Sequence, residues 1–391
     1  MPIREITILY IGLGVAERWY DITTMQETNS QKQKSISILL GAGFSAPAGF
    51  PLGSDVNDYI KHFDFDAFSV DRFGCLLKRS ESCDPNGMER GFQLCKKGRD
   101  QYLSYNDGNF NYECFFDFLY DKDGVVAMTG VDYGDNILEA VGEAQRVYKK
   151  IVQRALGIRE NLFEKDIEKV YQNFLSTLKV WSQDAIINVH TLNHDSLFES
   201  FGNLDSLNGL ISDGFSSHLS PFRDNMERSI EEYVGIYDKP IRLFKLHGSF
   251  DYARCSSLCG SQINPRIVKL PHGKSSDSIY MISEDNKKEY PSIESAYVLT
   301  GNLVKRVQYE EPFPSDLMKR FGDNIQTSSR LIIIGYGAND KGINDILKQF
   351  DHVNKSVAYI GMNPTNAMHE LATQLGTNVR DMDITNVQQL D

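Results

Sequence analysis

An α/β fold built on an open parallel sheet flanked by helices is predicted by three features of this 391-residue chain. Five short apolar runs, at 36–40, 185–191, 241–246, 331–334 and 357–360, have the length and content of buried strands. Each is followed by Gly, Asn, Asp or His, the residues of a polar turn. Between them lie segments with helical spacing. In an open parallel sheet ligands bind beyond the carboxyl ends of the strands, so these turns are expected to converge on one crevice.

The first run, Ile36 to Leu40, enters the loop Gly41-Ala42-Gly43-Phe44-Ser45-Ala46-Pro47-Ala48-Gly49-Phe50-Pro51. Ser54-Asp55 then reads as the N-cap of a helix from Val56 to Phe63. Residues 64–160 differ in character, being rich in Phe, Tyr, Asp, Gly and Cys. Turn signals recur there at Asp84-Pro85-Asn86-Gly87, Asn106-Asp107-Gly108 and Tyr133-Gly134-Asp135, which points to an insertion. Phe163, Ile167, Val170, Tyr171, Phe174, Leu178 and Trp181 then recur at three- and four-residue spacing and predict an amphipathic helix. The strand Ala185 to Thr191 follows. Ile241 to Leu246 ends at His247-Gly248, Leu331 to Ile334 at Gly335-Tyr336-Gly337, and Val357 to Ile360 at Gly361-Met362-Asn363-Pro364.

Composition narrows the function class. Hydrophobic content of 41% and charged content of 24% are those of an ordinary globular protein. The net charge is −12 with no long basic run, so direct nucleic-acid binding is not expected. No apolar run approaches the roughly 20 residues of a membrane helix, and Ile6 to Val15 makes a poor signal peptide. Six cysteines, at 75, 83, 95, 114, 255 and 259, are too few for a disulfide framework in a chain of this length, and a cytoplasmic setting is expected. Residues 1–34 read as an N-terminal extension to a domain over 35–391.

The strand-end turns each admit two readings. The loop at 41–51 can let a phosphate approach closely, or it is a tight strand-to-helix turn. Asn193 and Asp195 in Thr191-Leu192-Asn193-His194-Asp195, ahead of Glu199, can hold a ribose or a water; alternatively Asp195 caps the helix containing Leu197 and Phe198. His247, leaving a strand beside Gly248, has the chemistry of a general base, or is structural. In Gly335-Tyr336-Gly337-Ala338-Asn339-Asp340, Asp340 suits the start of a helix from Ile343 to Phe350. Asn363 can contact a ribose or begin a turn.

The ordered set, Gly-Ala-Gly-x-Ser-x-x-x-Gly-x-Pro at 41–51, Thr-x-Asn-x-Asp at 191–195, His-Gly at 247–248, the glycine-rich end at 335 and the asparagine at 363, resembles the sirtuin family over about 35–364. The resemblance implies a Rossmann-like NAD-binding fold. In it Gly41, Ala42, Gly43, Ser45, Gly49 and Pro51 cradle the pyrophosphate of NAD, and Asn193 and Asp195 lie by the nicotinamide ribose next to Thr191. His247, beside Gly248, is then the catalytic base, and Gly335, Tyr336, Gly337 and Asn363 border the adenosine half.

The chain also departs from sirtuin deacylases. Leu52-Gly53 stands where they have Phe-Arg, and Leu192 where they have Gln before the asparagine. Their structural zinc uses two cysteine pairs after the histidine; here only Cys255 and Cys259 follow, with His272 nearby, and no zinc is expected. These departures resemble a divergent bacterial branch in which a helix-rich aromatic insertion follows the glycine loop and the domain hydrolyses NAD in antiviral defence. Asn111 to Leu119 resembles an acidic-aromatic helix of that branch, and also reads as a core helix with Phe115, Phe118 and Leu119 inward. The resemblance implies an NAD glycohydrolase, with a protein lysine deacylase or a non-catalytic NAD or ADP-ribose sensor as alternatives. A homo-oligomer or a regulatory partner is expected to restrain such an activity, with the insertion as the place for contacts.

Overall fold

The computed structural model describes residues 34–70, 76–78, 89–121, 137–157, 164–218, 220–256, 265–271, 279–283, 285–295, 297–299 and 309–382. The extension at 1–33, the turns at 84–87 and 133–135, and Cys75, Cys83, Cys259 and His272 lie outside the described residues.

A seven-stranded parallel sheet forms the centre. In chain order its strands are β1 (Lys34–Leu40), β2 (Ala185–Thr191), β3 (Ile211–Ser212), β6 (Ile241–Lys245), β10 (Arg330–Ile334), β11 (Ser356–Gly361) and β12 (Val379–Asp381). Across the sheet they run β12-β11-β10-β1-β2-β6-β3. β1 therefore lies between β2, the next long strand, and β10, which arrives much later in the chain. The connections leave to opposite sides at this point, the place where an open sheet binds ligands. Register aligns the carboxyl ends, with Leu40 opposite both Thr191 and Ile334, and Thr191 opposite Lys245.

The continuous apolar runs arise because the sheet is covered on both faces. Ile36, Ile38, Leu40, Ile187 and Val189 pack with Tyr171, Phe174 and Leu178 of helix α5 (Glu164–Trp181). Leu39, Leu331, Ile333 and Tyr359 face the other way, onto α7 (Pro312–Thr327), α8 (Lys341–Leu347) and α9 (Asn366–Gln374). The strict alternation along β1 is that of a strand whose successive side chains enter opposite layers. Ser37 is the buried polar residue of β1, and its hydroxyl is satisfied by Ser328 Oγ at 2.8 Å.

The helix after the glycine loop is α1 (Gly53–Lys61), and its start differs from the expected Ser54-Asp55 cap. Leu52 is the N-cap; the Asp55 carboxylate reaches back to accept from the Leu52 amide at 2.8 Å. The acidic residue thus acts from the third helical position, which also favours the helix dipole.

The insertion is helical and has its own core. Helices α2 (Glu89–Tyr105), α3 (Tyr112–Tyr120) and α4 (Ile137–Gly157) bury Phe92, Cys95, Phe115, Phe116, Leu119 and Tyr148 together with Val56 and Ile60 of α1. Phe115 and Leu119 point inward as expected, whereas Phe118 is only partly buried and Phe116 takes the inner place. Asn111 caps α3 by accepting from the Glu113 and Cys114 amides. Gly91 lets α2 and α4 touch, since a Cβ there would lie 2.5 Å from the backbone carbon of Glu143.

A second sheet was not legible in the sequence. The antiparallel strands β4 (Gly214–Ser216), β5 (Glu231–Ile236), β7 (Tyr252–Ser256), β8 (Arg266–Lys269) and β9 (Ser292–Ser295) pair in the order β9-β7-β8-β5-β4. Its strands are three to six residues long, too short for an alternating pattern to stand out. Among the described residues no helix is long and apolar enough to cross a membrane.

Candidate active site

Two clusters form where β1, β2, β6 and β10 end, and one loop joins them. The first is built on the glycine loop. Gly41 N donates to Ile334 O at 3.0 Å and Gly43 N to Gly335 O at 2.9 Å. A Cβ on Gly41 would lie 2.6 Å from Gly335 O, and one on Gly43 would lie 2.8 Å from Gly335 Cα. Gly335 has φ +63°, and a Cβ on it would meet Phe44 N at 2.3 Å. These three glycines therefore let two strand-end loops interlock backbone to backbone, a requirement separate from any ligand.

The turn is fixed from below as well. Phe44 is buried among Tyr171, Phe174 and Phe201, with ring centroids 5.0–6.4 Å away. The Tyr171 hydroxyl donates to Phe44 O at 2.6 Å. Ala42 is exposed at the first position of the short helical turn Ala42–Ser45, where an amide has no intrahelical acceptor. Gly49 has φ +84° and closes the following turn by donating to Ala46 O at 2.8 Å. Pro51 is half-buried just before α1.

Asn193 is seated on this loop. Its Nδ2 donates to Gly41 O at 3.0 Å and to Ser45 Oγ at 2.9 Å, and its backbone amide donates to Thr191 Oγ1 at 3.1 Å. Both side-chain N–H groups are thus used, which leaves Oδ1 as the acceptor for an external donor. Asp195 folds into an Asx turn, its Oδ1 accepting from Leu197 N at 3.0 Å ahead of helix α6 (Leu197–Phe201). Its carbonyl receives Lys245 Nζ, and the same ammonium pairs with Glu199 Oε1 at 2.9 Å. Burial raises the Glu199 carboxyl pKa, against the pull of Lys245.

The second cluster surrounds His247, which is 5% exposed. Its Nε2 lies 2.9 Å from the Tyr309 hydroxyl and 3.4 Å from Asp340 Oδ2. Tyr309 and Asp340 are themselves 3.4 Å apart. Burial, then the charge of Asp340, then that of Glu113 on α3, push the Tyr309 phenol well above its ordinary pKa, so it stays protonated. His194 stands 6.2 Å from His247 between ring centroids, with its carbonyl 3.2 Å from Ser249 Oγ. Gly248 has φ +73°, and a Cβ there would lie 2.1 Å from Tyr297 O. That glycine admits the segment at Tyr297, whose carbonyl accepts from the Ser249 amide at 3.1 Å.

The loop 335–340 spans both clusters, with Gly335 against the glycine loop and Asp340 facing His247. Tyr336 is buried within it, its hydroxyl 2.8 Å from Asn344 Oδ1, while Gly337 is only half-buried. Asn363 lies just beyond the carboxyl end of β11. It is exposed, has φ +50°, and its amide donates to Asp381 Oδ1 at 3.2 Å beyond β11.

Sequence reasoning missed Tyr309, which carries no motif, and read Asp340 only as a helix-end carboxylate. Cys255 is a buried thiol on β7, pushed up to about 12 by burial and then by Glu232. Among the described residues no group of three or more His, Cys, Asp or Glu is placed to hold a metal ion.

No family model matches the sequence, nor does any curated protein. Similar solved structures include a Sir2 homologue in complex with NAD, 14% identical over 91% of this chain and 87% of that one, with a TM-score of 0.36. Another is a Sir2 homologue variant in complex with ADP-ribose, 12% identical over 91% and 90%, with a TM-score of 0.36. A third is Sir2 with an inhibitor, 2′-O-acetyl-ADP-ribose and a deacetylated peptide, 12% identical over 92% of both chains, with a TM-score of 0.35. At such identities these likenesses carry nothing about the reaction of this chain.

Proposed function

We propose that this chain is an NAD glycohydrolase, transferring the ribose of NAD from nicotinamide to water. One observation carries the reading: Asn193 is hydrogen-bonded to the glycine loop, and loop 335–340 runs from that loop to His247. A loop suited to a pyrophosphate and a buried histidine thus meet at the switch point of a parallel sheet.

In this reading the bond from the ribose anomeric carbon to the pyridinium nitrogen breaks, and nicotinamide leaves neutral with the electron pair. A water oxygen bonds to that carbon and its proton passes to His247, a placed base that contributes roughly 10²–10⁴-fold. Asn193 Oδ1 orients the water or a ribose hydroxyl. Asp195 keeps the 193–196 turn in shape. Remote binding of the pyrophosphate at the Ala42 end of the glycine loop orients the reacting bond.

Protein lysine deacylation with NAD as co-substrate is the second reading. Against it stand Leu52-Gly53, Leu192 and the short cysteine count after His247. We assign a role in bacterial antiphage defence, with restraint by self-association or a partner, on the sequence resemblance alone. His247→Ala and Asn193→Ala are each expected to abolish nicotinamide release while melting near the parent temperature. Near-parent release by either variant would sink the reading.

A further inference from the structure

We propose that Asp340 and Tyr309 are positioning residues for His247: the carboxylate orients the imidazole and balances the charge it takes up on accepting a proton, and the phenol is wedged between them. This rests on the reading of His247 as the base of NAD cleavage.

The geometry asks for more than a helix cap. Asp340 Oδ1 accepts from Ile343 N at 3.1 Å, which is all that capping α8 requires. Oδ2 is the atom that faces His247 Nε2 at 3.4 Å and the Tyr309 hydroxyl at 3.4 Å. The backbone behind Asp340 is held at alternate residues, 336, 338 and 340. Its amide donates to the Tyr336 hydroxyl at 3.2 Å, Asn344 Nδ2 donates to Ala338 O at 2.9 Å, and the Tyr359 hydroxyl donates to Tyr336 O at 2.6 Å. Ala338 is kept at φ +58°, a left-handed conformation that alanine adopts only when its surroundings impose it.

Tyr309 has a prepared seat as well. A Cβ on Gly342 would lie 3.3 Å from Tyr309 Cε2, so the ring rests on the bare first turn of α8. Among the described residues, the groups facing His247 include Tyr309, Asp340 and His194, with Glu113 acting on Tyr309 from α3. Lys245, two residues back, is engaged by Asp195 O and Glu199.

A carboxylate beside an imidazole favours the imidazolium, so its removal lets the proton leave at lower pH. Asp340→Asn retains an Oδ1 acceptor for Ile343 N, and folding is checked by melting. In this variant nicotinamide release from NAD should fall about ten- to a hundredfold at its plateau, with the acid limb of the pH profile about one unit lower. Tyr309→Phe should fall less and move the limb less. The second readout needs no turnover: the His247 ring resonance, assigned by its loss in His247→Gln, should titrate at lower pH in Asp340→Asn. An unmoved His247 midpoint overturns the proposal, whatever the rate does. A moved midpoint in a protein that releases no nicotinamide supports the pairing and removes the NAD reading instead.

Discussion

Gly335 marks how tightly single positions are specified at this site. A methyl group there would have to occupy space 2.3 Å from Phe44 N, at a φ of +63° that side chains disfavour. Gly335→Ala should cost about 1–3 kcal/mol of stability from backbone strain alone. The glycine loop must shift to relieve the clash, so affinity for NAD should fall at least tenfold, as read by calorimetric titration. Unchanged affinity would mean that the interlocked loops do not bind the dinucleotide. Asn193 is also constrained twice, since its two N–H groups brace Gly41 and Ser45 while Oδ1 faces outward chemistry. A variant at this position should therefore weaken both binding and turnover, whereas one at His247 should spare binding.

At the scale of elements, β2 carries a fully buried histidine with no hydrogen-bond partner among the described residues. His190 stacks on Phe244 at 4.8 Å and packs on Phe321 at 4.7 Å, and burial lowers its pKa from 6.5 to about 3. The folded form is neutral, so the unfolded chain binds the extra proton between these values. Stability from this group is therefore full above pH 6.5 and declines as pH falls toward about 3, by up to about 1.4 kcal/mol per pH unit. His190→Leu should flatten that decline in denaturant melts followed from pH 7 to 4; an unchanged slope would contradict it. Phe44→Ala should cost about 3–5 kcal/mol, because it removes the ring that fastens the glycine loop to α5. The central strands were legible because each is buried on both faces and reads as an apolar run ending in turn residues. The antiparallel sheet was not, its strands being short and its side chains shared between small cores. Of the candidate site, the glycine loop, Asn193 and His247 stood out only as an ordered set that resembles the sirtuin family. Tyr309 did not, since nothing local distinguishes a tyrosine that meets its histidine 62 positions away.

Across the whole molecule, strand order decides where chemistry can happen. β1 sits between β2 and β10, so the glycine loop leaving β1 meets the loop leaving β10, and residues from four strand ends gather there. The insertion is tied to the same place: the Tyr112 amide donates to Asn57 Oδ1 at 2.7 Å, and the Tyr112 ring lies 3.9 Å from the Cβ position of Gly53. Leu52-Gly53 thus begins a helix that carries the insertion, and Glu113 from that insertion bears on Tyr309. The most direct measurement of the central claim is nicotinamide release from NAD by the full chain, with and without an acetyl-lysine peptide. The account predicts release in the absence of peptide, at a rate the peptide does not raise. Release that occurs only when the peptide is present would contradict it and return the deacylase.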